Sequence, residues 1–340
     1  MANATKEYLE HAFTLTPGEI VLRDEFEEWL PHNIFDVHAH ANQAQDVGVL
    51  PEMILGRPLS TFPAYTLDDS HRLQTVFHPT KQFRHLRFAQ PYQGIDWRGA
   101  NAYLKQHLSI HDLMAVCGDP HDPEYTIAEL EDNRASALKM YYFFTTPPVG
   151  TIFEYFTPAV LEAAERLRKP IILHPPKPVP DCMDQFRSML EAYPQLVVII
   201  AHLGLYSEPV GRFREAFLEL SQYPNIYADT SMCHSPELVR IGLETLGPHR
   251  VMYGSDQPIS LIRAHQFFDE EFRRPVLLPD YKYHWVRDED WQRYNGKCSG
   301  ITHGHWANLQ AIKAALLDVA GTDSTLKEDV FFNTANTLFS

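Results

Sequence analysis

In the second half of the chain, helix-like segments alternate with short, almost continuous apolar runs. Four of these runs follow a proline that ends the preceding helix, and these prolines stand at positions 170, 194, 224 and 248. A short apolar run without polar alternation is typical of a strand buried on both faces, as in parallel sheets covered by helices. The pattern therefore predicts repeated strand–helix units across this half.

The first half repeats the same rhythm less regularly. Along the whole chain we predict eight strands, which end near His40, Gln90, Cys117, Phe144, His174, His202, Thr230 and Asp256. Eight parallel strands joined by helices favour a closed (β/α)8 TIM barrel of the α/β class over an open doubly wound sheet. The chain contains neither a glycine-rich dinucleotide fingerprint nor a P-loop, so a nucleotide-binding fold has no support.

No low-complexity linker interrupts this pattern, so we expect one domain over residues 1–340. Residues 1–32 form a predicted N-terminal extension with a short amphipathic helix around Asp24 to Leu30. Segments 41–65 and 257–305 show no regular period and are predicted to be long loops over the barrel mouth, where such loops commonly contact substrate.

Composition narrows the class of protein. The net charge of −15 argues against a nucleic-acid or anionic-membrane surface. The four cysteines are scattered without a C-x-x-C pair, which fits buried thiols in a reducing compartment. The N-terminus lacks a basic start followed by an apolar run, and no apolar stretch reaches the roughly 18 residues of a membrane span. We therefore expect a soluble, cytoplasmic protein.

Metal-ligating side chains stand at the ends of several predicted strands. His38 and His40 lie two positions apart and so share one face of the first strand. His174, His202 and Asp256 end three later strands. A single histidine of this kind is commonly an ordinary polar residue bonded to the backbone. The carboxyl ends of all barrel strands meet at one mouth, however, and there these five side chains match the ligand chemistry of a divalent ion.

Several motifs resemble those of the amidohydrolase superfamily, in particular its amidohydrolase-related (amidohydrolase 2) branch. These motifs are FDVHAH, IILHPP, VVIIAHLG, YADTSM, RVMYGSDQP and FFNTANTLF. The branch includes decarboxylases similar to aminocarboxymuconate semialdehyde decarboxylase, and lactone hydrolases. The resemblance covers residues 33–40 and 137–340, whereas residues 41–136 match only in their strand–helix rhythm. It implies a TIM barrel of the metal-dependent hydrolase type.

The resemblance also implies roles for these residues. His38, His40, His174 and Asp256 are expected to surround one metal ion, with zinc favoured and manganese as the alternative. Asp256 is expected to take a proton from an activated water molecule. His202 is expected to lie beside the metal as an acid/base or polarising group.

Lys139, in the fourth strand, has three interpretations. Some superfamily members carry a carboxylated lysine that bridges two metals, in which case His174 and His202 would bind a second ion. The decarboxylase-like branch generally uses one metal, so Lys139 could instead hold a substrate carboxylate. The third interpretation is a strand lysine whose ammonium reaches outward to solvent. We favour one ion and substrate binding.

Further positive groups are expected near the mouth. Arg263 lies in the long segment after the last strand, Lys177 follows the fifth strand and His234 follows the seventh. These residues would suit an anionic small-molecule substrate, although solvated loop charges explain each of them equally well. His303 and His305 repeat the H-x-H spacing just before a helix, where metal binding is less expected.

The leading interpretation is a metal-dependent hydrolase of a small carboxylated ester, lactone or amide. The alternative is a metal-dependent, non-oxidative decarboxylase acting on an unsaturated or aromatic acid. A third possibility is a catalytically silent barrel, which the complete ligand set argues against. We favour the hydrolase because no aromatic pocket is legible in the sequence. The apolar run 275–279 suggests a homodimer.

Overall fold

An eight-stranded parallel sheet forms the centre of the protein. In this computed structural model the described residues are 2–142, 150–207, 209–297, 300–321 and 324–340. The predicted end of the fourth strand at Phe144 and the thiol of Cys298 lie outside these residues.

The eight strands follow one another around the sheet in chain order. They are Asn33–His40 (β1), Gln82–Phe88 (β2), Leu113–Cys117 (β3), Ala135–Met140 (β4), Ile171–Leu173 (β5), Val198–Ile200 (β6), Ile226–Asp229 (β7) and Val251–Met252 (β8). Each strand pairs in parallel with the next. The eight predicted strands are thus confirmed, although the fourth ends at Met140, earlier than predicted.

Backbone hydrogen bonds between the first strand and the segment after the last strand close the sheet. The amide of Val37 donates to the carbonyl of Tyr253 at 3.0 Å, and the amide of Asp256 donates to the carbonyl of His38 at 2.8 Å. The amide of His40 in turn donates to the carbonyl of Gln257 at 2.8 Å. This closure makes the sheet a (β/α)8 barrel, which confirms the predicted fold class.

Helices surround the barrel and cover its ends. They are Ala2–Phe13 (α1), Pro17–Trp29 (α2), Glu52–Leu55 (α3), Leu67–Phe77 (α4), Trp97–His107 (α5), Pro123–Glu131 (α6), Pro158–Leu167 (α7), Met183–Ala192 (α8), Gly211–Leu220 (α9), Pro236–Thr245 (α10), Asp288–Tyr294 (α11), Gly304–Ala320 (α12), Ser324–Glu328 (α13) and Thr334–Leu338 (α14). Helix α10 shows why they begin where they do, since the hydroxyl of Ser235 accepts from the amide of Leu238 at 3.2 Å and Pro236 fills the first turn. Among the described helices, none is long and apolar enough to span a bilayer.

The N-terminal extension contains two helices rather than the single one predicted. Helix α2 begins at a capping box, in which the amide of Glu19 donates to the hydroxyl of Thr16 at 3.3 Å and the amide of Thr16 donates to Glu19 at 3.0 Å. This Thr-Pro-x-Glu signal lies in a polar stretch with a weak apolar period. The hydrophobic pattern alone therefore placed the helix start too late.

The segment 257–305, predicted as a loop, contains a small antiparallel sheet. Its strands are Arg263–Asp269 (β9), Arg274–Pro279 (β10) and Thr302–His303 (β11), in the order β10, β9, β11. In β10 the side chains of Val276 and Leu278 are buried while Leu277 is exposed, which is the alternation expected of a strand with one covered face. Prolines at both ends of β10 hid this alternation. Two side chains of the apolar run proposed for dimerisation thus face inward.

A buried ion pair holds the small sheet against α2. The guanidinium Nε of Arg263 donates to Glu19 at 2.8 Å, and the ring Nδ1 of His303 lies 2.6 Å from the same carboxylate. Burial by itself raises the pKa of Glu19, but His303 and Arg263 together hold that pKa well below its usual range. Removing one partner of such a buried pair commonly costs about 3–5 kcal/mol of stability.

Two buried histidines form a second link between the long segment and the barrel helices. Nε2 of His78, which follows α4, lies 2.7 Å from Nε2 of His305 in α12. The other ring nitrogen of His78 lies 3.2 Å from Glu27 of α2. Burial lowers the pKa of both imidazoles, and the charge of His78 lowers that of His305 further. The folded protein therefore favours neutral rings here.

This pair predicts a loss of stability in mild acid. Because the folded-state pKa of His305 lies below its unfolded value, its contribution is fully present above about pH 6.5 and is lost as the pH falls toward the folded-state pKa. We expect His305→Gln to reduce the dependence of the unfolding free energy on pH by about 1 kcal/mol per pH unit between about pH 6.5 and pH 5. Urea unfolding at several pH values measures this slope.

The matched control is His121→Gln, since His121 is exposed on the surface. It should leave the slope of the wild-type protein unchanged. An equal slope in the wild-type protein and His305→Gln would contradict the assignment of neutral buried rings.

Candidate active site

One cavity of about 60 Å³ lies where the carboxyl ends of the barrel strands meet. Its lining residues are His38, His40, Leu59, Gln90, Pro91, Tyr92, Lys139, Tyr141, His174, His202, Asp256 and Ile259. All five strand-end residues predicted from the sequence are in this set. The barrel thus brings together side chains that are as far as 218 positions apart in the chain, counted from 38 to 256.

Three of these side chains present ligand atoms to one another. The Nε2 atoms of His38 and His40 lie 3.5 and 2.9 Å from Oδ1 of Asp256, and the three ligand atoms fall within 4.8 Å of each other. Two imidazole nitrogens and one carboxylate oxygen are a donor set that suits zinc and similar divalent ions. The chemistry of these donors therefore fits a metal centre. His174 lines the cavity but is not in this close group.

Hydrogen bonds on the far side of each ring direct these nitrogens inward. Nδ1 of His38 lies 2.9 Å from Oδ2 of Asp229, and Nδ1 of His40 donates to the carbonyl of Ala89 at 3.1 Å. An acceptor at Nδ1 places the proton there and leaves Nε2 with a lone pair for the cavity. This arrangement of a supporting acceptor behind a ligating histidine is the usual one at metal sites.

Asp229, at the end of β7, is a candidate site residue that the sequence analysis did not identify. It is fully buried and accepts from the backbone amides of His202 and Ser231, both at 3.0 Å, as well as from the Ser231 hydroxyl. Burial alone raises its pKa, but the contact with His38 holds that pKa well below the usual range. His38, His202 and Asp229 also meet the spacing of a ligand group. Because both oxygens of Asp229 are already engaged, we interpret it as a positioning residue.

A carboxylate at the buried end of a strand was the available sequence signal. Asp229 closes the run IYAD, in the same way that Asp256 follows β8. Its partner His38 lies 191 positions earlier in the chain, so no local pattern connects the two residues.

His202 is fixed with one nitrogen toward the cavity. Its Nδ1 donates to the carbonyl of Ser231 at 3.0 Å. Because a carbonyl can only accept, Nδ1 carries the proton and Nε2 is an acceptor in the neutral ring. The backbone φ of His202 is 58°, and that of Asp256 is 59°. Such left-handed conformations cost side-chain-bearing residues on the order of 1 kcal/mol and concentrate at active sites.

Lys139 points into the cavity rather than out to solvent. Its side chain is 1% exposed, and its Nζ lies 3.5 Å from Nε2 of His38 and 5.0 Å from the ring centroid of Phe88. Burial lowers the pKa of Lys139 to about 8, while the charges of Asp229 and Asp256 act in the opposite direction. A mostly charged ammonium therefore stands beside the candidate metal ligands at neutral pH.

His174 occupies the opposite side of the same cavity. Its ring centroid lies 4.9 Å from that of His202 and 4.4 Å from that of Tyr141, and its Nδ1 donates to the carbonyl of Pro175 at 3.1 Å. Burial is the main cause of its lowered pKa. The neutral ring thus keeps a lone pair on Nε2 that could bind a metal ion.

Three residues predicted to bind substrate do not line this cavity. Arg263 turns into the protein and pairs with Glu19, because that carboxylate compensates its burial. Lys177 and His234 are exposed. The second H-x-H motif is likewise engaged elsewhere, in the contacts of His303 and His305 described above. The structure instead adds aromatic and amide groups to the lining, and these are Gln90, Tyr92 and Tyr141.

Comparison with known proteins assigns the family. A family described as amidohydrolase matches residues 35–290, which is three quarters of the chain. The chain therefore belongs to the amidohydrolase family, whose members are hydrolases or decarboxylases. No curated protein matches it by sequence.

Solved structures share the fold over almost the whole chain. An amidohydrolase from Burkholderia multivorans with bound zinc has a TM-score of 0.58 at 12% identity and covers 90% of this chain and 98% of its own. A probable 2-pyrone-4,6-dicarboxylic acid hydrolase from Acinetobacter baumannii with citric acid bound gives 0.56 at 14%, covering 90% and 99%. The 5-carboxyvanillate decarboxylase of Novosphingobium aromaticivorans, complexed with manganese, gives 0.50 at 12%, covering 92% and 97%.

We predict that Asp229→Asn weakens metal binding without unfolding the protein. Asparagine keeps one acceptor oxygen for the amides of His202 and Ser231, so its NH2 group would face Nδ1 of His38, which loses its acceptor and is less firmly held. Loss of such a supporting contact commonly lowers metal affinity about 10- to 100-fold. Competition of zinc against a chromogenic chelator measures the affinity, and circular dichroism checks the fold.

Asp184→Asn serves as the control, because the Asp184 side chain is 97% exposed on α8. It should bind zinc as the wild-type protein does. An unchanged zinc affinity in Asp229→Asn would show that Asp229 does not position His38.

Proposed function

We propose that this protein is a metal-dependent hydrolase that cleaves a small, carboxylated ester, lactone or amide with an activated water molecule. The observation that carries the proposal is the convergence of His38, His40 and Asp256 on one point inside the barrel mouth. His202 and Lys139 lie beside that point and supply acid/base and cationic groups. The related structures include hydrolases, which supports this reaction class.

His38, His40 and Asp256 would hold the ion, and we propose His174 as a further ligand from the opposite side of the cavity. We propose a single ion, with zinc first and manganese second, in keeping with the metals named for the related structures. A divalent ion bound there polarises a carbonyl oxygen and acidifies a water molecule.

Asp256 and His202 are placed to accept and transfer the proton of the attacking water. The neighbouring histidines hold the pKa of Asp256 low although burial alone would raise it, so it is a carboxylate that can accept a proton. Nε2 of His202 is available as an acceptor, since Nδ1 is committed to Ser231. We propose that Asp256 takes the proton from water and that His202 steers the substrate oxygen or passes the proton to the leaving group.

Lys139 supports an anionic substrate. Its buried ammonium forms no ion pair within 4.0 Å of a carboxylate of the described residues, and an unpaired buried cation favours an arriving negative group. We propose that it binds the substrate carboxylate. This would orient the scissile group above the donor set formed by His38, His40 and Asp256.

A second candidate function is non-oxidative decarboxylation of an unsaturated or aromatic acid. Tyr92 and Tyr141 line the cavity, and the ring centroid of Tyr141 lies 4.4 Å from that of His174. Aromatic rings of this kind can flank a planar acid, whereas the sequence had given no sign of an aromatic pocket. One related structure is a decarboxylase. The two reactions would use the same donor set and differ in product.

The reaction class is tested by an assay of two products. We expect the zinc-loaded protein to hydrolyse one or more members of a panel of carboxylated lactones, esters and amides, detected as acid release, and to release no carbon dioxide from hydroxybenzoates or unsaturated dicarboxylates. Carbon dioxide release without hydrolysis would replace the first proposal by the second.

Two variants connect the activity to the site. His38→Ala and Asp256→Ala each remove a proposed metal ligand, so we expect activity to fall below about 0.1% of the wild-type value with the fold retained. His121→Ala, on the surface, is the matched control and should remain active. A metal-loaded and active His38→Ala protein would refute the assigned ligand.

The number of ions is tested at Lys139. We expect Lys139→Met to keep the metal-to-chain ratio of the wild-type protein, because in our proposal the lysine binds substrate and not metal. Its KM should rise for a carboxylated substrate and stay unchanged for the matching uncharged ester. Elemental analysis that shows two ions in the wild-type protein and a lower content in Lys139→Met would instead indicate a bridging, carboxylated lysine.

A further inference from the structure

A second cavity, of about 850 Å³, lies on the outer side of β2 and shares no lining residue with the candidate active site. Phe88 of β2 packs its ring against His40 inside the barrel. Because side chains alternate along a strand, Arg87 and His85 belong to the opposite face. Both residues line the outer cavity, together with parts of α4 and α5. Outer strand faces of such barrels are normally apolar, so a histidine and an arginine here need an explanation.

Arg87 is the central residue of this cavity. Its side chain is 2% exposed, and its Nε and Nη1 atoms have no hydrogen-bond partner among the described residues. Within that part of the chain no carboxylate lies within 4.0 Å of its guanidinium. A buried cation without a partner is costly, so the cavity is expected to supply a compensating group.

Two further cations, Lys81 and Arg84, line the cavity. The ammonium of Lys81 donates to the carbonyl of Leu30 at 2.9 Å. Arg84 donates to the carbonyl of His111 and to Asn336, both at 2.9 Å. All these acceptors are neutral, although burial lowers the pKa of Lys81 and the charge of Glu27 acts in the opposite direction. This concentration of positive charge stands out in a chain whose net charge is −15.

The charge of Arg87 helps to lower the pKa of Asp112, but neither carboxylate of the cavity wall lies within 4.0 Å of its guanidinium. Asp112 accepts from the amide and from Nδ1 of His85, at 2.8 and 3.2 Å. Asp68 lies in the first turn of α4 and forms no ion pair with a described side chain. Nε and Nη1 of Arg87 therefore keep hydrogen-bond capacity that the described residues do not use.

We propose that this cavity binds a small oxyanion, either a phosphate group or a carboxylate, with Arg87 as its principal contact. Guanidinium groups bind both anions through paired, charge-assisted hydrogen bonds. Lys81 and Arg84 add long-range attraction at the cavity rim. This site does not depend on the proposed catalytic chemistry, because it lies on the other face of β2.

The test compares inorganic phosphate and citrate with sodium chloride at matched ionic strength. With the full-length, metal-loaded protein we expect phosphate or citrate at up to about 10 mM to raise the melting temperature above the chloride control. The anion with the larger effect identifies the chemical source, phosphate or carboxylate. No rise with either anion would overturn the proposal.

Variants of Arg87 and His38 test whether the rise in melting temperature comes from anion binding at Arg87. Arg87→Met should lose the response and should be at least as stable as the wild-type protein without added anion, because it removes an unpaired buried charge. Arg87→Lys keeps the charge but not the paired donors, so titration calorimetry should give an affinity weaker by about tenfold. His38→Ala should keep the full response, which separates this cavity from binding at the metal site. An undiminished response in both Arg87 variants, or its loss in His38→Ala, would refute the site.

Discussion

The site depends on how the last strand joins the first. Asp256 donates its amide to the carbonyl of His38, and His40 donates its amide to the carbonyl of Gln257, each at 2.8 Å. The same two bonds that close the barrel therefore fix the Asp256 carboxylate between the two imidazoles of β1. The placement of these three side chains therefore depends on the ring closure, which is made by backbone atoms. The candidate active site in this sense depends on the closed barrel.

A buried carboxylate, Asp229, holds the residues behind the donor set in place. Asp229 bonds the ring of His38, the amide of His202 and the amide of Ser231. One side chain thus links β1, the end of β6 and the end of β7. Since removing a charged acceptor from such a network leaves buried donors without partners, the network favours a single arrangement of the histidines. The proposed metal would bind to rings that are already oriented.

The sequence predicted the parts of this protein that depend on local patterns. The apolar runs and their proline stops located the eight strands, and the strand ends located His38, His40, His174, His202 and Asp256. It could not predict pairings across long separations. Arg263 was assigned to substrate because its partner Glu19 stands 244 positions earlier, in a polar helix. Asp229 was missed for the same reason, and the prolines that bound β10 concealed the small sheet.

The left-handed backbone at His202 and Asp256 has a consequence for the evolution of this protein. Each residue has a φ near 60°, a conformation that costs glycine or asparagine less energy than other residues. Substitutions that relax the chain at these points would also remove the groups proposed for chemistry. Selection for thermal stability alone would therefore favour substitutions at these two positions that remove the proposed activity. The residues at both positions would then distinguish homologues that keep this activity from those that have lost it.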